Sequence, residues 1–264
     1  MTKNELKYYH KLKQKKFRDT ENKFLIEGLH IVEECIRSPH YKNCLEKIFI
    51  QNDFNKKDLQ KLKSIAEKKN IQIISIDEKL FKILSDTISP QGIIGVVSKP
   101  KGPFKKSISN KNVLSVALDT INDPGNLGTI IRTCYCFGVD ELLIGNKSVD
   151  LFNPKVLRST QGAIFNLNIK YDLNLKDELE RYYLEDHKII LTDLGSLNYI
   201  NERRFELNEK YIIVFGNETN GISKDILCHS EYEKMKIRIF TDCESLNISV
   251  SVAIVLNHIK NNII

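Results

Sequence analysis

Tyr211-Ile212-Ile213-Val214-Phe215-Gly216-Asn217-Glu218-Thr219-Asn220-Gly221-Ile222-Ser223 is the stretch on which the fold turns. Its first five residues are apolar with no polar alternation. That pattern belongs to a strand covered on both faces, and so to a parallel sheet between helical layers. Two glycines and two asparagines fall within residues 216–221, which marks a loop with unusual backbone angles leading into a helix. In open parallel sheets ligands collect beyond the carboxyl ends of the strands, so this loop is a candidate binding element. Glu218 within it either touches a ligand or caps the next helix, and local pattern alone favours the cap.

Outward from this point, strands and helices alternate. Further strands are expected at 113–118, 141–144, 188–191 and 235–239, with helices at 127–137, 155–162, 176–184, 222–228 and 248–259. The front of the chain alternates too, with strands at 24–28, 45–50, 71–76 and 92–97 and helices at 29–36, 53–69 and 78–84. Between the halves, residues 99–112 (KPKGPFKKSISNKN) carry Pro, Gly and Ser without apolar periodicity and read as a linker. The expected organisation is a small α/β domain at 1–98, the linker at 99–112 and an α/β domain at 113–264.

Two other turns carry chemistry. In Asp123-Pro124-Gly125-Asn126-Leu127-Gly128-Thr129-Ile130-Ile131-Arg132, Pro124 and Gly125 force a turn and Asn126 is expected as the helix N-cap. Gly128 lets a phosphate come close to the helix and Arg132, four residues on, is placed to clamp it; an ordinary capped helix with a surface arginine fits the spacing as well. Residues 237–247 (IRIFTDCESLN) leave a strand, cross a polar loop and enter an apolar helix, with Ser245 or Asn247 as the cap. No Gly-Lys-Ser/Thr P-loop, no Gly-x-Gly-x-x-Gly fingerprint and no Gly-x-Ser-x-Gly elbow is present, which disfavours Walker-type, conventional dinucleotide-binding and serine-hydrolase chemistry.

Composition narrows the partners. The chain has 264 residues, a formal charge of +6 and six cysteines, none in a Cys-x-x-Cys pair, so no metal site is expected and the thiols read as free. No apolar run approaches the roughly 18 residues of a membrane span, and residues 1–16 lack a secretory apolar core, so no membrane partner and a cytoplasmic location are expected. The positive charge is clustered: Lys3, Lys7, Lys11, Lys13, Lys15, Lys16 and Arg18 crowd the N-terminus, and Lys99, Lys101, Lys105, Lys106 and Lys111 surround the linker. Beside phosphate-binding turns, such clusters point to nucleic acid.

The ordered set PGNLGTIIRT, IVFGNETNGIS and ESLNISVSVAI resembles the three signature motifs of the SpoU/TrmH family of the SPOUT class, and Asn153-Pro154-Lys155-Val156-Leu157-Arg158-Ser159-Thr160-Gln161-Gly162-Ala163 resembles that family's intervening helix. The front segment from Lys15 to Gly28 is similar, over a shorter and less specific match, to the small RNA-binding domain that precedes the catalytic domain in members acting on ribosomal RNA. The resemblance implies a C-terminal trefoil-knotted methyltransferase domain, a homodimer, and transfer of a methyl group from S-adenosylmethionine to a ribose 2′-hydroxyl, with ribosomal RNA favoured as substrate. A transfer-RNA methyltransferase and a non-catalytic RNA-binding paralogue are the alternatives. It implies that Gly216, Asn217, Glu218, Gly221, Ile237, Ile239 and Leu246 hold the cofactor, and that Asn126, Arg132, Glu218, Ser245 and Asn247 occupy active-site positions. Family precedent gives Arg132 the ribose proton. Because arginine stays protonated in proteins, its first role here is read as gripping phosphate, with Glu218 orienting it by charge pairing. Three positions depart from the family pattern: Thr219 and Thr241 stand where glycine is usual, and Arg238 where proline is usual. Thr219 must avoid a positive φ, and a β-branched Thr241 is expected to narrow the cofactor pocket.

Overall fold

The computed structural model describes residues 1–41, 43–100 and 113–262. From residue 101 on, the expected linker lies outside the described residues, as do Lys101, Lys105, Lys106 and Lys111. The chain forms two units, the first made of residues 1–102 with Phe152–Asn166 and the second of 103–151 with 167–264. The segment Phe152–Asn166, placed by sequence in the back domain, is thus grouped with the front one.

The lysine-rich N-terminus forms two helices. α1 (Lys3–Lys11) opens with a capping box in which Thr2 Oγ1 accepts from the Glu5 amide at 3.2 Å and Glu5 accepts from the Thr2 amide at 2.7 Å. α2 (Lys15–Glu21) ends at Asn22 in the left-handed conformation. Arg18 is not part of an exposed basic face: it is buried, and its guanidinium donates to the carbonyls of Leu12 at 3.0 Å and Lys13 at 2.6 Å, satisfying the end of α1. Lys3, Lys7 and Lys11 follow at intervals of four and are exposed, so they form a stripe along α1 that continues into exposed Lys15 and Lys16.

The rest of the first unit comprises β1 (Lys23–Glu27), α3 (Leu29–Arg37), β2 (Leu45–Gln51), α4 (Lys56–Lys68), β3 (Gln72–Ile76), α5 (Glu78–Leu84) and β4 (Ile93–Ser98). The sheet runs β1-β4-β2-β3, with only β2 and β3 parallel. Helix α7 (Pro154–Thr160; numbering follows the chain) packs on β1 and is tied by Arg158 to Asp86 at 2.8 Å.

The second unit is built on a six-stranded sheet in the order β10-β8-β9-β5-β6-β7, every pair parallel. Its elements are β5 (Val113–Leu118), α6 (Pro124–Cys136), β6 (Glu141–Gly145), β7 (Ile169–Leu173), α8 (Leu175–Leu184), β8 (Lys188–Thr192), β9 (Lys210–Phe215), α9 (Lys224–Leu227), β10 (Glu233–Met235) and α10 (Ile248–Asn261). β5 and the run 211–215 of β9 are buried at every position, as the unbroken apolar runs demand. α10 packs against α6; Ile130, Ile131 and Cys134 of α6 and Val252, Val255 and Ile259 of α10 are buried. Two expectations need correction. β7 has no predicted counterpart, because an edge strand reading Ile-Lys-Tyr-Asp-Leu needs no apolar run. The strand expected at 235–239 ends at Met235, and the following residues leave the sheet. Among the described residues, no helix is long and apolar enough to cross a membrane.

Candidate active site

The carboxyl ends of the central strands meet at one place in the second unit. β5 runs into Asp119, whose amide donates to the Phe215 carbonyl at 2.8 Å and whose Oδ2 accepts from the Ser223 amide at 2.7 Å. The amide and the buried carboxylate of Asp119 thus pin the two ends of the loop that follows β9, the amide at Phe215 and the carboxylate at Ser223. Thr120, next in line, has φ +63°, a conformation that costs a β-branched residue about 1–3 kcal/mol. Its carbonyl accepts from Asn217 Nδ2 at 2.9 Å.

The 216–221 loop is closed on itself. Asn217 and Gly221 exchange two backbone bonds of 2.8 and 2.9 Å, and Asn217 Oδ1 accepts from the amides of Thr219 and Asn220. The positive φ of the turn falls on Gly221, at +67°, so Thr219 avoids strain. Gly216 is required by crowding: a Cβ there would stand 2.2 Å from the carbonyl carbon of Gly221 and 2.3 Å from the Ile222 nitrogen.

A cavity of about 400 Å³ opens beside this loop. All seven residues proposed for the cofactor (Gly216, Asn217, Glu218, Gly221, Ile237, Ile239 and Leu246) line it, as does Ser245. Thr241 does not, so the expected narrowing is not found; it sits on the exposed outer part of its loop. Thr192, Asp193 and Leu194 at the end of β8, together with Lys236 and Glu244, also line the cavity and were missed from sequence. A place after a parallel strand marks the end of β8 as a region only and singles out none of these residues.

Beside the cavity, which Glu218 lines and Asn126 and Asn247 do not, three distant segments are joined by side chains. Asn126 Nδ2 donates to Glu218 Oε1 at 2.9 Å, and Asn247 Nδ2 donates to Asn126 Oδ1 at 3.1 Å. Two expectations are corrected here. The N-cap of α6 is Asp123, which accepts from the Asn126 amide at 2.8 Å; with Pro124 at the first turn, Asn126 sits inside the helix and its carboxamide is left for Glu218 and Asn247. Glu218 caps no helix and is paired with Asn126 rather than with Arg132. Asn247 does cap α10, its Oδ1 accepting from the Ser249 amide at 2.9 Å while its Nδ2 reaches Asn126. Arg132 is exposed on α6, outside the cavity lining, and makes no hydrogen bond or ion pair with a described residue.

Residues 113–257 match the SpoU rRNA Methylase family, and residues 3–95 match the MRM3-like substrate binding domain. The 23S rRNA (guanosine(2553)-2′-O)-methyltransferase RlmP of Bacillus subtilis is 32% identical over 97% of this chain and 95% of its own length. The mitochondrial rRNA methyltransferase 3 of Xenopus tropicalis is 28% identical over 95% of this chain and 72% of its own length. Among solved structures, that of the AdoMet-bound rRNA methyltransferase from Sinorhizobium meliloti superposes with a TM-score of 0.84 at 22% identity, covering 98% of this chain and 94% of that one, a likeness of fold. With the family matched over residues 113–257, which hold all six strands of the second sheet, and a relative at 32% identity over 97% of this chain, the chain belongs to the SpoU rRNA Methylase family.

Proposed function

We propose that the protein transfers a methyl group from S-adenosylmethionine to a ribose 2′-hydroxyl of ribosomal RNA, working as a homodimer. The observation that carries this is the chain Glu218–Asn126–Asn247, which gathers three segments far apart in sequence beside one cavity. The cavity suits the cofactor in size and chemistry. Small-molecule sites run to about 300–1,000 Å³. Ile237, Ile239 and Leu246 offer apolar surface for a purine, and the 216–221 loop brings backbone close to the ligand. Asp193, Glu244 and Lys236 offer charges for hydroxyl, ammonium and carboxylate groups.

When bound, S-adenosylmethionine supplies a methyl already activated by a sulfonium, so the protein's task is alignment of the ribose oxygen and removal of its proton. Asn126 is fixed by two partners, which presets the surface beside the cavity against which a ribose is oriented. Arg132 is a permanent cation with no partner among the described residues, as a phosphate-gripping group should be before RNA arrives. Its distance from the cavity lining is met by the dimer. α6 and α10 together expose Tyr135, Val250 and Ile254 on one packed pair of helices, a surface suited to a second copy that would bring Arg132 to its partner's cavity.

The first substrate to test is 23S rRNA, on the model of the Bacillus relative. A ribosomal substrate accords with the cytoplasmic location expected from the sequence. Labelled methyl from S-adenosylmethionine should appear at a single ribose of that RNA, and R132A should lose the transfer while still binding the cofactor. Absence of cofactor binding in calorimetry would leave a non-catalytic RNA-binding protein as the answer.

A further inference from the structure

Residues Lys236, Ile237 and Ile239 line the cavity, yet beyond an isolated bridge at Lys236 their segment has no ladder partner before α10 begins at Ile248. Backbone pairing therefore does not fix Ile237 and Ile239. Arg238 stands between them and does not line the cavity. Its guanidinium carbon lies 4.2 Å from the centroid of the Tyr199 ring, and its Nη2 lies 2.5 Å from Glu202 Oε1. Tyr199 belongs to the segment that holds the loop: the Ile200 amide donates to the Lys236 carbonyl at 2.9 Å and the Lys236 amide to the Asn198 carbonyl at 3.0 Å. The Lys236 ammonium stands 5.3 Å from the centroid of the same ring. A flat guanidinium resting on a ring while reaching a carboxylate fixes orientation as well as distance, which a lysine cannot do.

We propose that Arg238, Tyr199 and Glu202 form a clamp that holds the cofactor-binding loop in its binding shape, acting as positioning residues that set cofactor affinity without touching the cofactor. The inference rests on the S-adenosylmethionine function proposed above. All three side chains meet near the surface, so each interaction is modest, and loss of the clamp acts by lowering the fraction of loop already in the competent shape. A weakening of about three- to tenfold in cofactor affinity is the scale to expect.

The test uses the full chain and two readouts. Hydrogen exchange of the ligand-free protein reports the Lys236 and Ile200 amides, whose bonds join the loop to the Tyr199 segment, and calorimetry with S-adenosylmethionine reports affinity. In R238A and in E202A, those two amides should exchange several-fold faster while those of β5 and β9 keep their protection. Cofactor affinity should fall in both, and turnover at saturating substrates should stay within about twofold of wild type. R238K, which keeps the charge and loses the flat stack, should fall between. The double variant should lose little beyond R238A alone, because the two residues act through one ion pair. Unchanged exchange, effects of the two substitutions that simply add, or a uniform loss of protection across the unit would each overturn the clamp. Failure of the wild-type protein to bind S-adenosylmethionine would instead overturn the proposed function, and the exchange comparison would still judge the clamp.

Discussion

At the scale of single residues, Gly216 shows how one position decides the site. An added methyl would meet backbone atoms of Gly221 and Ile222 at 2.2–2.5 Å, and neither can rotate away as a side chain could. G216A is expected to displace the loop and weaken S-adenosylmethionine binding by about a hundredfold, measured by calorimetry, while far-UV circular dichroism keeps its shape. Asn126 offers a sharper comparison, because it donates to Glu218 and accepts from Asn247 at once. N126A removes both bonds, whereas N126D also sets a carboxylate beside Glu218. N126D should therefore lower kcat/KM further than N126A, and equal losses would show that Glu218 is not held by this hydrogen bond. The candidates in the three motifs were legible because each sits in a short, oddly composed turn. Asp119 and Asp193 were not, since a single aspartate after an apolar run has no distinguishing neighbours. Their roles arise only when the sheet brings the ends of β5, β9 and β8 side by side.

At the scale of elements, buried strands and amphipathic helices were legible because burial dictates their residue types. Polar pieces were not: α1 carries no buried residue, and β7 lies at a sheet edge. The stripe Lys3–Lys7–Lys11 with Lys15 and Lys16 is expected to sit against phosphates. Replacing the five by alanine should reduce the slope of log affinity for RNA against log salt by up to about 0.7–0.9 for each phosphate that is no longer neutralised. The buried Arg18 would add nothing to that slope, and R18A should instead lower the melting temperature. The junction of α8 and β8 gives a pH signature. His187 is buried there, with Nδ1 3.0 Å from the Tyr182 carbonyl, and its pKa is lowered first by desolvation and then by the Lys210 charge. The unfolded chain, with an ordinary pKa of about 6.5, then binds the proton more readily than the folded one. The contribution of His187 is thus complete above that pH and is lost as pH falls through the lower, folded value. The melting temperature of H187Q should consequently fall less than that of wild type between neutral and mildly acidic pH.

At the scale of the whole molecule, sequence pattern says least. The knot implied by the resemblance is a matter of threading, which no local periodicity encodes. The same holds for the proposed dimer, whose signature would be a surface and not a stretch: exposed Tyr135 on α6 and exposed Val250 and Ile254 on α10. If Arg132 serves the cavity of the other subunit, activity belongs to pairs of chains, and crippled chains can repair one another. R132A keeps an intact cavity and lacks the arginine; G216A keeps the arginine and lacks a working cavity. Each homodimer should be inactive. In an equal mixture about half the dimers pair one chain of each kind, and each such dimer contains one complete site out of two, so about a quarter of wild-type methyl transfer should return. Sites built from a single chain would recover nothing on mixing, because no chain in the mixture has both parts. Light scattering on the same samples fixes whether dimers are present, so a null result with dimers formed places Arg132 in its own subunit's site or outside catalysis.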